Sequence, residues 1–239
     1  MTKIKEITGH KVAGLIADLM QKMRNNQVSV MQLENFLQMN FAQREEKFGR
    51  IANPWFPQME KIAHFRKEVF GKETNWDTVT LPVYSEEFNT LEYIDPSISG
   101  KELVSAYKHL FKDESVYGND YSKDIDAKTK EQQERPVSPY CIAHRGGIEC
   151  DEIHRNKSYD DFCNDGNQYM VPREGITFAL RYRFETKNMI DVKGITRFHA
   201  LDSDGIVLCM NRDGDGQFYL DWYNRDGRYS DRGPRQVNF

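Results

Sequence analysis

The chain is expected to adopt an α+β fold, with a helical N-terminal region followed by a mainly antiparallel β domain at the C-terminus. Three observations point there. Apolar residues recur at helical spacing in the first 111 positions; a strongly hydrophilic stretch spans 112–135; beyond it, Gly-punctuated segments alternate apolar and polar residues with a two-residue period. These features divide the chain into a helical region (1–111), a linker or long loop (112–135) and a C-terminal β domain (136–239).

The elements follow in order. Val12, Leu15, Ile16, Leu19, Met20 and Met23 form the apolar face of a first helix, and Asn25-Asn26-Gln27 breaks it. Ser29 with Gln32 makes a capping box for a second helix, whose inner face is Leu33, Phe36, Leu37 and Phe41. Its outer face carries Gln32, Glu34, Asn35, Gln38 and Asn40. That is no basic stripe, so the pair reads as a helical hairpin and not as a DNA reader. Pro54 and Pro57 stop it, and a third helix is expected over 58–70. The β-prone segment 78–84 contains Pro82, which confines it to an edge or a short strand. Ser99 and Glu102 make another capping box before Leu103, Tyr107 and Leu110. In the C-terminal part, the alternation of Ile176, Phe178, Leu180, Tyr182 and Phe184 predicts a strand over 175–184. Further strands are expected over 194–201, 206–210 and 218–222, with 235–239 as a closing strand.

Composition narrows the function classes. A hydrophobic content of 38% and a charged content of 29% describe a globular protein with a wet surface. The net charge of −4 gives no global electrostatic argument for nucleic acid. No apolar run reaches the roughly eighteen residues of a membrane span, and the N-terminus has no secretory h-region or cleavage site. A cytoplasmic location is expected, with the four cysteines as free thiols.

Chemistry-bearing clusters are few. Cys141, His144, Cys150 and His154 are spaced C-x2-H-x5-C-x3-H, two short-loop pairs of the kind that close a tetrahedral zinc site. That spacing is not an established zinc pattern, and partly buried thiols with surface histidines are the favoured reading. Asn211, Asp213, Asp215 and Gly216 match the first half of a calcium loop, but Trp222 stands where the bidentate glutamate belongs, and hairpin turns explain the Asp-Gly pairs. Glu185 and Asp191 near Lys193 are at most faintly nuclease-like. No G-x-S-x-G, H-E-x-x-H, P-loop or strand-linked G-x-G-x-x-G occurs, so neither enzymatic activity nor a cofactor is expected.

The most distinctive chemistry lies at the C-terminus. A period of two puts Phe218, Leu220 and Trp222 on one face of a strand, and Tyr219, Asp221 and Tyr223 on the other. Asn224, Asp226, Arg228, Tyr229, Ser230 and Asp231 continue the second set through the following loop. Tyrosine interleaved with small hydrogen-bonding residues is the composition of recognition surfaces.

The layout resembles a loosely defined protein group of small-genome candidate-phylum bacteria. The residues that carry the resemblance are the helical pair LIADLMQKMRNNQVSVMQLENFL, the D-W-Y-N-x-D segment at 221–226 and the terminal R-Q-V at 235–237. The C-terminus in turn resembles the variable regions of diversity-generating retroelement target proteins. Here the R-G-G-S-W segment of better-known members is absent, with 144–148 a partial echo, and RQVNF replaces the G-F-R ending. The resemblance implies a C-type-lectin-like scaffold. On it, residues altered by adenine-directed mutagenesis would contact a protein or surface ligand: Asp213, Asp215, Tyr219, Asp221, Tyr223, Asn224, Asp226, Arg228, Tyr229, Ser230 and Asp231. Phe218, Leu220, Trp222 and 235–237 would be fixed framework. The alternative reading is a nucleic-acid-binding regulator that uses the N-terminal hairpin, with the β domain as a sensor.

Overall fold

The computed structural model describes residues 54–111, 122–127, 129–201, 204–212 and 218–239. The hairpin expected over 8–41, and the calcium-like loop at 213–216 with Asp213 and Asp215, lie outside the described residues.

The first described helix, α1 (Phe56–Phe70), starts with Pro57 in its first turn and ends on Gly71, whose φ of 64° supplies the left-handed cap. Strand β1 (Thr90–Ile94) leads into α2 (Gly100–Leu110), where Ser99 and Glu102 form the expected capping box. Two single-turn helices, α3 (Ser122–Ile125) and α4 (Lys130–Gln133), precede β2 (Tyr140–His144). Then come α5 (Tyr159–Cys163), capped by Ser158 and Asp161, β3 (Gln168–Tyr169) and α6 (Pro172–Thr186). The chain closes through β4 (Ile195–Leu201), β5 (Val207–Arg212), β6 (Phe218–Tyr223), β7 (Arg232–Gly233) and β8 (Gln236–Asn238).

The strands form two sheets, ordered β1-β2-β8-β3 and β6-β5-β4-β7. All described pairings are antiparallel except β4 with β7. The mixed helix-and-sheet architecture agrees with the α+β expectation.

Two sequence readings are overturned. The segment 175–184 is helix, not strand: it forms most of α6. Residues 174–181 are all buried, because the helix lies between the two sheets; its Gly175 abuts Phe198 of β4, and its Arg181 reaches Glu92 of β1. A helix covered on more than one side loses the polar stripe that would reveal its 3.6-residue period. The start signals were nonetheless present: Pro172 at the first position, and Glu174, whose carboxylate accepts the Val171 N–H at 2.9 Å. Likewise, 79–84 forms no strand. Its Pro82 carbonyl instead accepts the Trp55 indole N–H at 2.9 Å.

Described residues before and after the stretch 112–135 pack together. Residues from both sides share one core, in which Phe65, Ile94 and Leu103 pack with Ile176, Leu180, Leu208 and Met210. Strand β1 pairs with β2 across that stretch, and Trp55–Phe239 forms one compact unit.

The second sheet is covered on both faces at its centre. Leu208, Met210 and Leu220 face α6 and the main core. Val207, Cys209 and Ile195 face a smaller cluster made with Tyr159, Phe162 and Tyr169 from α5 and β3.

Candidate functional site

The expected contact set falls on β6 and the loop that follows it. The two-residue period holds: Leu220 is buried and Trp222 packs on the main core, whereas Asp221 is exposed. Tyr223 lies on the same face as Asp221 but is half-buried, packed against the smaller cluster. Tyr219 is also half-buried. In the loop, Asn224, Asp226, Arg228, Tyr229, Ser230 and Asp231 are exposed.

Main-chain groups of the loop make much of its attachment. Arg197 of β4 is fully buried beneath it and donates to the carbonyls of Asn224 (2.7 Å), Gly227 (2.7 Å) and Lys157 (3.0 Å). Among the described residues no carboxylate pairs with this guanidinium, so loop carbonyl dipoles compensate a buried charge. Three further bonds complete the anchoring: Tyr159 N–H to Arg225 C=O (2.9 Å), and Asn156 N–H to the carbonyls of Tyr229 (3.1 Å) and Arg232 (3.2 Å). Arg232 stacks on both Tyr223 and Tyr229, 4.0 and 4.1 Å from their ring centres.

Some members of the set are already engaged. Arg228 grips Asp161 with two bonds of 2.7 and 2.8 Å, and this ion pair with the Ser158 capping bonds holds the Asp161 carboxyl well below the usual range. Arg225 pairs with Asp160, tying the loop to α5 a second time. Asp226 N–H is turned back onto the Asn224 side chain at 3.0 Å. Asp226 and Ser230 are exposed, Asp231 is exposed with its carboxylate 3.6 Å from Arg232 Nε, and the Tyr229 ring is 42% exposed beside them.

The zinc reading does not survive the geometry. Cys141 and His144 share β2 but occupy opposite faces: Cys141 packs with Trp55, Leu91 and Tyr93, while His144 turns to the Phe178 ring and Glu92. A C-x2-H pair in a strand points its two side chains apart, which the loop geometry assumed from sequence would not. Cys150 lies near the Asp231 carbonyl, and His154 bonds Gln236 at 2.9 Å. Among the described residues no three His, Cys, Asp or Glu side chains converge as a metal site. Burial pushes the Cys141 and Cys209 thiols up to about 12 and Cys163 to about 11, so these sulfurs stay protonated and unreactive at neutral pH.

Other charged groups are paired within the fold. Burial drives the Glu92 carboxyl up, but Arg181 and His144 outweigh it and hold it low. Glu185 pairs with Arg181, and Asp191 with Arg235, which separates the two carboxylates of the nuclease-like reading into different ion pairs. A cavity of about 550 Å³ opens beside α3 and α4, lined by Pro96, Ile125, Pro136, Tyr140, Val171 and Arg173. Its cations are internally neutralised, Arg173 by Asp126 and Arg135 by Glu174.

Sequence reasoning found the loop but missed its anchors, Arg197, Asn156 and Tyr159. One signal was available: Arg197 is the lone arginine or lysine in β4, on the face it shares with Ile195 and Leu201.

Comparison with family models, with curated proteins and with solved structures returns no match for this chain. Among the described residues, no helix is long and apolar enough to cross a membrane.

Proposed function

We propose that the chain is a non-enzymatic ligand-binding module, on a C-type-lectin-like scaffold of the retroelement-diversified type, that recognises a protein or surface ligand through β6 and the 224–231 loop. One observation carries this reading. The loop is fastened by its own carbonyls, to Arg197, Tyr159 and Asn156, while Asp226, Tyr229, Ser230 and Asp231 project outward. A loop fastened by main chain keeps its shape when its side chains change, which is what a surface of exchangeable contacts needs. The implied framework of Leu220, Trp222 and Val237 packs on the core, in keeping with fixed positions. Tyr223 and Arg228 are assigned to loop support as well as to contact.

A display library randomised at Asp226, Tyr229, Ser230 and Asp231 tests the reading. Most members should melt within a few degrees of the parent, and panning against unrelated folded proteins should yield distinct specific binders. Broad loss of folding across the library would refute it. Independent support would come from the neighbouring DNA, as a reverse-transcriptase gene with a template repeat differing from this 3′ end only at adenines. The alternative regulator rests on the N-terminal hairpin, outside the described residues, and nothing in the described part favours it.

A further inference from the structure

The second sheet ends in β6, and among the described residues no strand pairs with its outer edge. The direction of its backbone groups follows from the register. The Ile195 N–H bonds the Asp231 carbonyl on the β7 side of β4. Thr196, the next residue, therefore turns toward β5 and pairs with Met210. Cys209 and Asn211 then turn toward β6, to Asp221 and Tyr219. The N–H and C=O groups of Leu220 and Trp222 are thus left facing away from the sheet. A separate contact agrees: the Trp222 N–H is covered by the Asp221 carboxylate at 2.8 Å instead of by β5.

Exposed edges invite pairing, and proteins guard them. The first sheet shows such a guard, for the Gln58 side chain accepts the Leu91 N–H at 2.8 Å and donates to the Asn89 carbonyl at 2.7 Å. Along 218–223 there is no proline and no lysine. Among the described residues the guard on β6 is the Asp221 carboxylate, which covers the Trp222 N–H.

We propose that β6 accepts an extended strand of a partner polypeptide, paired antiparallel along its outer edge, with a lysine or arginine directly opposite Asp221. Because Leu220 and Trp222 direct their backbone groups outward, the site opposite Asp221 is a non-hydrogen-bonded pair, where facing side chains come closest. A cation there draws the carboxylate off the Trp222 N–H and frees that donor for the incoming carbonyl; a strand without the cation competes with the carboxylate for it. Asp221 thereby selects among strands. Charge argues against a second copy of this chain as the occupant. The strand contributes no cation, and its nearest arginine, Arg225, lies in the turn beyond it, paired with Asp160. The inference rests on the recognition reading above and shares Asp221 with it, but it concerns the strand's edge, not the loop's outer face.

The test uses the full chain and a capped peptide of alternating threonine and valine with one central lysine, a glutamate counterpart, and a lysine version N-methylated on the pairing edge. The lysine peptide should slow hydrogen exchange at the Leu220 amide, and N-methylation should remove the effect. The lysine peptide should bind about two- to fivefold more tightly than the glutamate peptide, and Asp221→Asn should abolish that preference while pairing persists. Absence of Leu220 protection with every peptide overturns the proposal, as does equal binding of the lysine and glutamate peptides by the parent chain. Peptide-free protection that rises with protein concentration, alongside a sedimenting dimer, overturns it in favour of a second copy. Each of these failures leaves the loop-library result standing.

Discussion

Replacing Arg197 with methionine removes the charge beneath the 224–231 loop while keeping an apolar stem of similar reach. The guanidinium makes three bonds to carbonyls, at 2.7, 2.7 and 3.0 Å, and two of them hold the loop at Asn224 and Gly227. Hydrogen bonds from a charged donor contribute about 1.5–3 kcal/mol each, so the loop loses about 3–6 kcal/mol of local anchoring. Global stability should fall by less, about 3 kcal/mol or under. Methionine escapes the several kcal/mol needed to desolvate a buried guanidinium, and the freed carbonyls lie in a surface segment that can turn to water. Tyr159 and Asn156 still hold Arg225 and Tyr229. The effect should therefore centre on the Asp226, Gly227 and Arg228 amides, whose hydrogen exchange should accelerate by about 10²- to 10⁴-fold. Exchange mass spectrometry with a urea titration measures both quantities. Unchanged exchange at Gly227 would refute the anchoring role. A uniform rise across the whole chain, with stability down by more than about 4 kcal/mol, would make Arg197 a general core element instead.

Two further outcomes follow from the packing and the titrating groups. In Gly175→Ala, the added methyl would stand 2.2 Å from Cε1 of the fully buried Phe198, and overpacking of about 1–3 kcal/mol should outweigh the roughly 1 kcal/mol gained in helix propensity, lowering the urea midpoint. A raised midpoint would show that the α6–β4 contact yields. Burial holds the His144 and His199 imidazoles below their ordinary 6.5, so on acidification the unfolded chain takes up protons that the native one refuses. Stability present above pH 6.5 should then be lost as pH falls toward 5, by up to about 1.4 kcal/mol per pH unit for each histidine. Equal unfolding free energies at pH 7.5 and 5 would contradict this.

The limits of the sequence reading have specific causes. Terminal strands were legible because one face of β6 meets the core and the other meets the loop and solvent, so Leu220 and Asp221 differ in polarity as they differ in exposure. Helix α2 was legible because its capping box lies in consecutive residues. Helix α6 was not, because burial between two sheets replaces a stripe with a near-continuous apolar run, and a period of two is easily read into it. The zinc cluster failed for the opposite reason: spacing alone does not say whether four ligand-type residues lie on loops or alternate across a strand. Two anchors of the 224–231 loop, Asn156 and Tyr159, were invisible in principle, since they act through their backbone N–H groups, which every non-proline residue carries.

The row Arg197–Cys209–Asp221 runs across one face of the second sheet, from β4 through β5 to β6. Arg197 and Cys209 are fully buried and Asp221 is exposed. Among the described residues, the cover over this face, made by α5 and the 224–231 loop, reaches Tyr223 of the last strand but leaves Asp221 exposed. The loop follows β6 directly in the chain, so among the described residues the loop and the outer edge of that strand lie side by side. A partner that engages the loop's outward side chains is then positioned to meet the unpaired backbone of Leu220 and Trp222. Under the two proposals, side-chain recognition and strand pairing would be two halves of one contact, with Asp221 at their junction through its exposed side chain and its bond to the Trp222 N–H.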